Sequence, residues 1–211
     1  MARIVLHKEL FESDSEYRKK YPVVCGVDEA GRGPLAGDVY AAAVVLSDGT
    51  LIDYLNDSKK ISESRREKLY DEIIAKADAY CIATASVAEI DELNILNAAM
   101  LAMRRAVGGL GIVPDIALID GNRLPQLDCH AECIVKGDAV SASIAAASVL
   151  AKVARDRYMR DIAEKYPQYA FEQHKGYGTK LHCEMLKKHG ASEIHRKTFL
   201  KKILGDSGEQ N

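Results

Sequence analysis

CGVDEAGRGPLAG, residues 25–37, joins two adjacent carboxylates, Asp28 and Glu29, to a segment that holds three glycines, an arginine and a proline. The overlapping run VVCGV has the continuous apolar character of a buried strand. A strand that ends in acid and glycine leaves polar groups at the open edge of a sheet, where α/β proteins tend to bind ligands. We therefore expect the chemistry of this protein at the end of this strand.

The two acids of this stretch can act together only under one condition. Successive side chains of a strand point to opposite faces, so Asp28 and Glu29 share a metal ion only if the chain turns out of the strand at Glu29. Gly31, Gly33 and Pro34 supply that turn in our prediction. The alternative is a pair of solvated acids at an ordinary strand-to-loop junction, which is the commoner situation of acidic residues.

Two further aspartates follow apolar runs. Asp120 ends IALID and precedes Gly121 and Asn122, and Asp138 repeats the arrangement in CIVKGD. Three buried strands that each end in a carboxylate would bring these acids to one edge of one sheet. Crowded like charges are costly unless cations compensate them, and oxygen ligands without thiolate or imidazole favour magnesium or manganese over zinc.

Composition limits the class of protein. At 211 residues and 47% hydrophobic, the chain can bury one substantial core. It has no long apolar segment and no apolar signal core near its start, so we expect a soluble, cytoplasmic protein without a membrane partner. Five cysteines at irregular spacing argue against a disulfide framework. Cys129, His130 and Cys133 suggest zinc, but no second ligand pair follows, and buried or edge cysteines are the better interpretation.

Net charge alone gives no indication of nucleic acid binding, because the formal charge is -2. From position 171 to 204, however, eight Lys or Arg stand against three Glu, and four of the six histidines lie there too. This segment could neutralise phosphates locally. It could equally be the solvated face of an amphipathic helix, LHCEMLKKHG, and the sequence leaves both interpretations open.

The remaining patterns predict an α/β protein with a mixed central sheet flanked by helices. A helix should begin near Ser62 with Leu69, Ile73 and Ile74 facing inward. Ser86 and Glu89 are spaced as a capping box for a helix over about 87–107 that ends in a left-handed cap at Gly108 and Gly109. A long alanine-rich helix over about 141–166 should stop at Pro167, and its small residues should allow a close approach to the sheet. Strands are predicted at 23–27, 38–46, 80–87, 116–120 and 132–137.

Five blocks of this sequence resemble a type 2 ribonuclease H, and their order and spacing are similar to bacterial ribonuclease HII. The blocks are GVDEAGRGPLAG at 26–37, DSKKIS at 57–62, LIDGN at 118–122, GDAVSASIAAASVLAKVARD at 137–156 and HKGYGT at 174–179. The resemblance runs from about Val23 to about Phe199. It implies a ribonuclease H-like fold with a C-terminal helical segment. The expected organisation is one catalytic domain over 1–204, of which about 167–204 is a basic helical part, followed by a disordered tail at 205–211.

The resemblance also implies a chemistry. Two divalent ions, Mg²⁺ or Mn²⁺, would be held on either side of a scissile phosphodiester, and the products would carry a 3′-hydroxyl and a 5′-phosphate. The catalytic and metal-binding residues implied are Asp28, Glu29, Asp120 and Asp138.

Selection of RNA is implied for other residues. The backbone of Gly31, Arg32 and Gly33 would contact the ribose 2′-hydroxyl, and Tyr177 would stack on the sugar after the ribonucleotide. Lys59 is a candidate for phosphate contact. Asn122 would brace Asp120 or the substrate.

We therefore expect an endonuclease that cuts RNA in RNA/DNA hybrids and cuts 5′ of single ribonucleotides in duplex DNA, acting as a monomer. Type 3 ribonucleases H carry an extra N-terminal domain, and here only twenty-two residues precede Val23. A hybrid-binding module without activity is one alternative. An enzyme that acts on another phosphate ester is a second, since the fold alone permits it.

Overall fold

A single mixed sheet forms the centre of the computed structural model, which describes residues 6–204 except for the side chains at 202 and 204. The tail expected to be disordered, 205–211, lies outside the described residues. The strand order is β3-β2-β1-β4-β5. β2 is antiparallel to both β1 and β3, whereas β4 runs parallel to β1 and to β5. The strands are β1 (Val24–Ala30), β2 (Val39–Val45), β3 (Ala79–Ala85), β4 (Ile116–Asp120) and β5 (His130–Ile134).

Helices cover both faces of this sheet, so the predicted mixed sheet flanked by helices is confirmed. The helices of the described chain are α1 (Lys8–Arg18), α2 (Glu63–Lys76), α3 (Val87–Leu93), α4 (Ile95–Gly108), α5 (Ala142–Lys165), α6 (Phe171–His174), α7 (Lys180–His189) and α8 (Lys197–Leu204). Within these residues no helix is both long enough and apolar enough to cross a bilayer.

The two faces of the sheet bury alternate residues of the central strands. Val27 and Ala43 pack in one core cluster with Met103 of α4. Ala42 packs in a second cluster with Leu150 of α5. Because both faces are covered, β1 and β2 read as nearly continuous apolar runs instead of alternating ones.

Helix α5 lies unusually close to strand β1. A Cβ added to Gly26 would lie 2.1 Å from the carbonyl carbon of Ser143, so only glycine fits there. The expectation that small residues let this helix approach the sheet is confirmed. Ser143 also donates through its backbone N–H and its hydroxyl to Oδ2 of Asp14, at 2.8 and 2.7 Å. Asp14, which the sequence did not single out, thus ties α1 to the start of α5.

Most local helix signals are confirmed. Leu69 and Ile73 are fully buried, although Ile74 is only half-buried. Ser86 and Glu89 form the reciprocal hydrogen bonds of a capping box. Ser141 caps α5, which ends at Lys165 just before the proline.

The predicted single helix over 87–107 is wrong. Asn94, with φ +67°, separates α3 from α4, and its side chain accepts hydrogen bonds from the N–H groups of Leu96 and Asn97. A short amide side chain competes with the helical backbone for its donors, so a new helix starts here. The left-handed cap is also wrong, because φ of Gly109 is -91°.

The C-terminal segment packs back onto the loop that follows β1. Ala36 and His195 form an isolated antiparallel bridge. The N–H groups of Gly37 and Arg196 donate to the carbonyls of Ile194 and Leu35, at 2.8 and 2.9 Å. These contacts place the segment directly beneath the glycine-rich loop.

Candidate active site

Three aspartates meet at one end of the sheet. In the parallel β1 and β4 pair, Val27 lies opposite Ile119, so Asp28 and Asp120 follow at the same edge. Asp138 joins them from a short 3-10 turn, Gly137–Ala139. One carboxylate oxygen from each aspartate lies within 4.8 Å of the others.

The route by which Asp138 reaches this cluster differs from the prediction. The strand expected over 132–137 instead spans His130–Ile134, so Asp138 does not end it. Lys136 follows in a left-handed conformation, φ +58°, and redirects the chain into the 3-10 turn. The N–H of Gly137 donates to Oδ1 of Asp120 at 2.6 Å, which fixes this turn against β4.

Glu29, unlike its neighbour Asp28, does not belong to the group of three aspartates. The expected turn out of the strand at Glu29 is wrong, because β1 continues through Ala30 and Glu29 pairs with Ala41. Strand alternation turns its side chain away from that of Asp28, although its carboxylate remains close enough for its charge to raise the pKa of Asp28. Its carboxylate lies 3.2 Å from Nη1 of Arg32, outside the group formed by the three aspartates.

Electrostatics at this edge are strongly unfavourable without a cation. Burial raises the pKa of Asp28 well above its ordinary value, and the charges of Glu29 and Asp120 raise it further. Burial, with Asp57 and Asp120 nearby, raises the pKa of Asp138 to about 6. The Nζ of Lys59 lies 3.8 Å from Asp138, but its side chain is 78% exposed and its charge is screened by water.

A cleft opens beside the cluster. Gly33 and Tyr177 meet across it, since a Cβ on Gly33 would lie 3.6 Å from Cε1 of the tyrosine ring. Tyr177 is 43% exposed and therefore free to contact a ligand. The lining residues are Asp28, Glu29, Ala30, Gly31, Arg32, Gly33, Ser58, Lys59, Ser148, Lys152 and Tyr177.

Comparison with known proteins decides the family to which this site belongs. The family model described as Ribonuclease HII matches residues 25–202. The chain belongs to the ribonuclease HII family. The resemblance found in the sequence is confirmed, and with it the expectation of an endoribonuclease.

Relatives and solved structures agree with this assignment. Ribonuclease HII of Burkholderia ambifaria is 55% identical over 184 residues, which are 87% of this chain and 85% of that protein. Ribonuclease HII of Albidiferax ferrireducens is 62% identical over 177 residues, covering 84% and 86%. The crystal structure of ribonuclease H2 from Pyrococcus horikoshii OT3 superimposes with a TM-score of 0.67 at 27% identity, over 83% of this chain and 93% of that one.

The residues expected to contact substrate divide into two groups. Gly31, Arg32, Gly33, Lys59 and Tyr177 line the cleft. Asn122 is exposed beyond β4, and within the described residues it makes no hydrogen bond to Asp120. The structure therefore brings the glycine loop, the lysine and the tyrosine together but leaves Asn122 outside.

Three cleft residues escaped the sequence reasoning. The hydroxyls of Ser58 and Ser148 are buried and hydrogen-bonded to each other at 2.7 Å. Lys152, one turn after Ser148 on α5, donates to Asp156 at 2.5 Å. Burial lowers the pKa of Lys152. Polar residues at a spacing of four in an otherwise alanine-rich helix were the available signal, because such residues share one helix face.

Zinc coordination finds no support in the structure. Across residues 6–204, the acidic and metal-ligating side chains close enough to hold one ion are the three aspartates, and Cys129, His130 and Cys133 are not among them. All five cysteines are free thiols.

Proposed function

We propose that this protein hydrolyses the RNA strand of RNA/DNA hybrids and also cuts on the 5′ side of single ribonucleotides in duplex DNA. One observation carries the proposal: Asp28, a member of the aspartate cluster, lines the same cleft as the glycine loop and Tyr177. A phosphate next to the aspartates would have its sugar beside the loop. We further propose one catalytic domain over 1–204 that acts as a monomer.

The donor set of the site fits divalent metal ions. Its ligand atoms are carboxylate oxygens, and the raised pKa values of Asp28 and Asp138 show how strongly the cluster disfavours uncompensated charge. Hard cations with oxygen preference, Mg²⁺ or Mn²⁺, answer both features. Asp28, Asp120 and Asp138 would hold the ions with Glu29 at the edge, and the ions would supply water activation and stabilisation of the leaving oxygen.

The chain's own residues supply positioning and choice of substrate. The exposed Nζ of Lys59 lies near enough to the cluster to contact a phosphate oxygen. The glycine loop permits close approach of a ribose, since no side chain stands between its backbone and the cleft at Gly33. Tyr177 offers an aromatic face for the next sugar.

Cleavage of three labelled duplexes tests this function. The first is an RNA/DNA hybrid, the second is DNA with one ribonucleotide, and the third is the same DNA without it, each in Mg²⁺, in Mn²⁺ and in chelator. We expect metal-dependent cutting of the first two only, 5′ of the ribonucleotide in the second. Binding without cutting would favour a hybrid-binding module, and equal cutting of all three would indicate a less selective phosphodiesterase.

A further inference from the structure

The glycine loop, residues 31–37, is held from behind by a buried arginine of the C-terminal segment. Arg196 is fully buried, and its guanidinium donates to four loop carbonyls. Its five hydrogen bonds run from Nε to Gly37 at 2.9 Å, from Nη1 to Arg32 at 3.1 Å and Pro34 at 2.7 Å, and from Nη2 to Gly31 at 2.6 Å and Gly37 at 2.7 Å. Since a guanidinium has five N–H donors, each donor is used.

A second buried arginine extends this support toward the tyrosine. Arg155 of α5 donates to the carbonyls of Ala36, Asp38 and Lys175, at 3.2, 3.3 and 3.2 Å. Its guanidinium carbon lies 5.9 Å from the centre of the Tyr177 ring. Arg155 thus links the back of the glycine loop to the segment that presents the tyrosine.

Two N–H donors of the loop, those of Arg32 and Gly33, remain free. Among the described residues, the N–H groups of Arg32 and Gly33 have no hydrogen-bond acceptor, although both residues line the cleft. Backbone donors need a partner, so these two are available to water or to a ligand oxygen. The protein thus occupies the carbonyls of Gly31, Arg32, Pro34 and Gly37, whereas the N–H groups of Arg32 and Gly33 make no bond to it. The N–H groups of Leu35 and Gly37, farther along the loop, donate to the carbonyls of Gly176 and Ile194.

A glycine-rich loop does not keep such an orientation by itself. Gly31 and Gly37 adopt φ of +103° and +84°, and glycine populates several conformations at similar cost. Turning one peptide plane would present a carbonyl to the cleft where an N–H is needed. A planar fork with fixed donor directions selects one orientation, which a lysine ammonium cannot do.

Placing these two cations inside the protein is unfavourable for stability. Burial, and the neighbouring charge of Arg155, lower the pKa of Arg196 to about 9. Neither arginine forms an ion pair with a carboxylate within residues 6–204. Asp38 attracts both arginines without lying within ion-pair distance of either, so their charges are only partly compensated. Such burial is weak evidence for a stabilising role.

We propose that Arg196, assisted by Arg155, is the positioning residue that gives this enzyme its selectivity for the ribose 2′-hydroxyl. It does so by occupying the loop carbonyls and thereby directing the N–H groups of Arg32 and Gly33 toward the sugar. The proposal rests on the proposed function, since it presumes that this loop contacts the ribose.

Equilibrium binding in chelator, where cleavage is excluded, tests this role. Labelled DNA duplexes with and without one ribonucleotide are titrated with wild type and Arg196→Lys, and folding is checked by circular dichroism. We expect wild type to prefer the ribonucleotide duplex by about tenfold, the value of one or two hydrogen bonds. Arg196→Lys should bind both duplexes equally, with affinity for plain DNA within about twofold of wild type.

Two additional variants keep the outcome decisive. Arg18→Lys changes a part-buried arginine that donates to the Leu46 carbonyl far from the cleft, and it should retain the wild-type preference. If Arg196→Lys is unfolded at the assay temperature, Arg155→Lys takes its place in the test. It too should lose the preference for the ribonucleotide duplex. A folded Arg196→Lys with the wild-type preference overturns the inference. Equal binding of both duplexes by wild type overturns instead the proposed sensing of the ribose.

Discussion

The acidic cluster and the arginines behind the glycine loop lie on two sides of one cleft, yet their electrostatic situations are opposite. Asp28, Asp120 and Asp138 crowd like charges, and the pKa of Asp28 is raised as a result. Arg155 and Arg196 are also buried, but their guanidinium groups donate hydrogen bonds to backbone carbonyls. The protein thus satisfies its buried cations with its own backbone carbonyls, whereas the buried carboxylates repel one another.

A cluster of buried histidines resembles the two arginines in this comparison, because its hydrogen bonds are made within the protein. His182 lies between the carbonyl of Tyr177, 3.0 Å from Nδ1, and Nε2 of His195, also at 3.0 Å. Nδ1 of His195 accepts from the N–H of Ser192 at 3.0 Å. Burial lowers the pKa of both His182 and His195 to about 4, so both rings are neutral near pH 7.

Asp28→Asn, which alters the aspartate cluster, should cause the largest loss of activity. Loss of one ligand from the cluster should reduce turnover by at least about a thousandfold, because metal ions supply several kcal/mol of stabilisation to the transition state. Hybrid affinity in chelator should change little, since the side chain offers little contact surface. Single-turnover cleavage and anisotropy measure the two effects.

The same variant also tests the charge argument in the absence of substrate. Relief of like-charge repulsion should raise the melting temperature of Asp28→Asn in chelator, and added Mg²⁺ should stabilise wild type more than the variant. Asp71→Asn, an exposed acid on α2, is the control. Normal turnover in Asp28→Asn would remove Asp28 from the catalytic set.

Gly26→Ala should damage the scaffold that brings the two sides together. The new methyl group would lie 2.1 Å from the backbone of Ser143 and push α5, which follows the Asp138 turn, away from β1. We expect a loss of about 3 kcal/mol or more in the free energy of unfolding. Gly108→Ala, where a Cβ meets nothing within 4 Å, should be neutral or stabilising. Urea denaturation compares the two, and equal stabilities would contradict the close packing.

Acidification should reduce the contribution of buried His182 and His195 to the stability of the fold. The unfolded chain takes up protons near pH 6.5, whereas folded His182 and His195 resist protonation down to about 4. Their contribution is therefore complete above pH 6.5 and is lost as the pH falls toward 4, on the order of 2 kcal/mol for each.

Comparison of variants isolates this effect from the carboxylates. Buried Asp14 and Asp28 have raised pKa values and shift stability in the opposite direction. His182→Gln should therefore lose less stability than wild type between pH 7 and about pH 4.5 in urea denaturation. His130→Gln, which removes an exposed histidine, should follow wild type. Parallel behaviour of both variants would show that His182 is not buried as a neutral ring.

Tyr177→Ala should give the smallest effect of the series, confined to substrate choice. Loss of stacking should raise the activation free energy for cleavage at a single embedded ribonucleotide by about 1 to 3 kcal/mol. Tyr177→Phe should retain most of the rate because it keeps the ring. Tyr80→Ala, at an exposed tyrosine of β3, is the control for loss of an aromatic side chain. Unchanged kcat/KM in Tyr177→Ala would leave this tyrosine as ordinary surface.

Predictions from the sequence succeeded where a local pattern was sufficient. Small residues after Ser141 and the proline at 167 defined α5, and the capping box at Ser86 started α3 correctly. They failed where one residue had two local options, as at Asn94, which caps a new helix instead of continuing the old one. The turn expected at Glu29 failed for a similar reason, because β1 makes two more pairs with β2, at Glu29 and Ala30, before it ends.

The sequence by itself determined the mixed sheet flanked by helices and the family, because periodicity and motif spacing are local properties of the chain. Only the tertiary structure decided that three aspartates converge while Glu29 pairs with Arg32 outside their group, since strand register fixes which side chains meet. It alone placed Arg196 beneath a loop some 160 positions earlier. Burial of a cation depends on backbone carbonyls that are distant in the sequence, and no local sequence pattern predicts them.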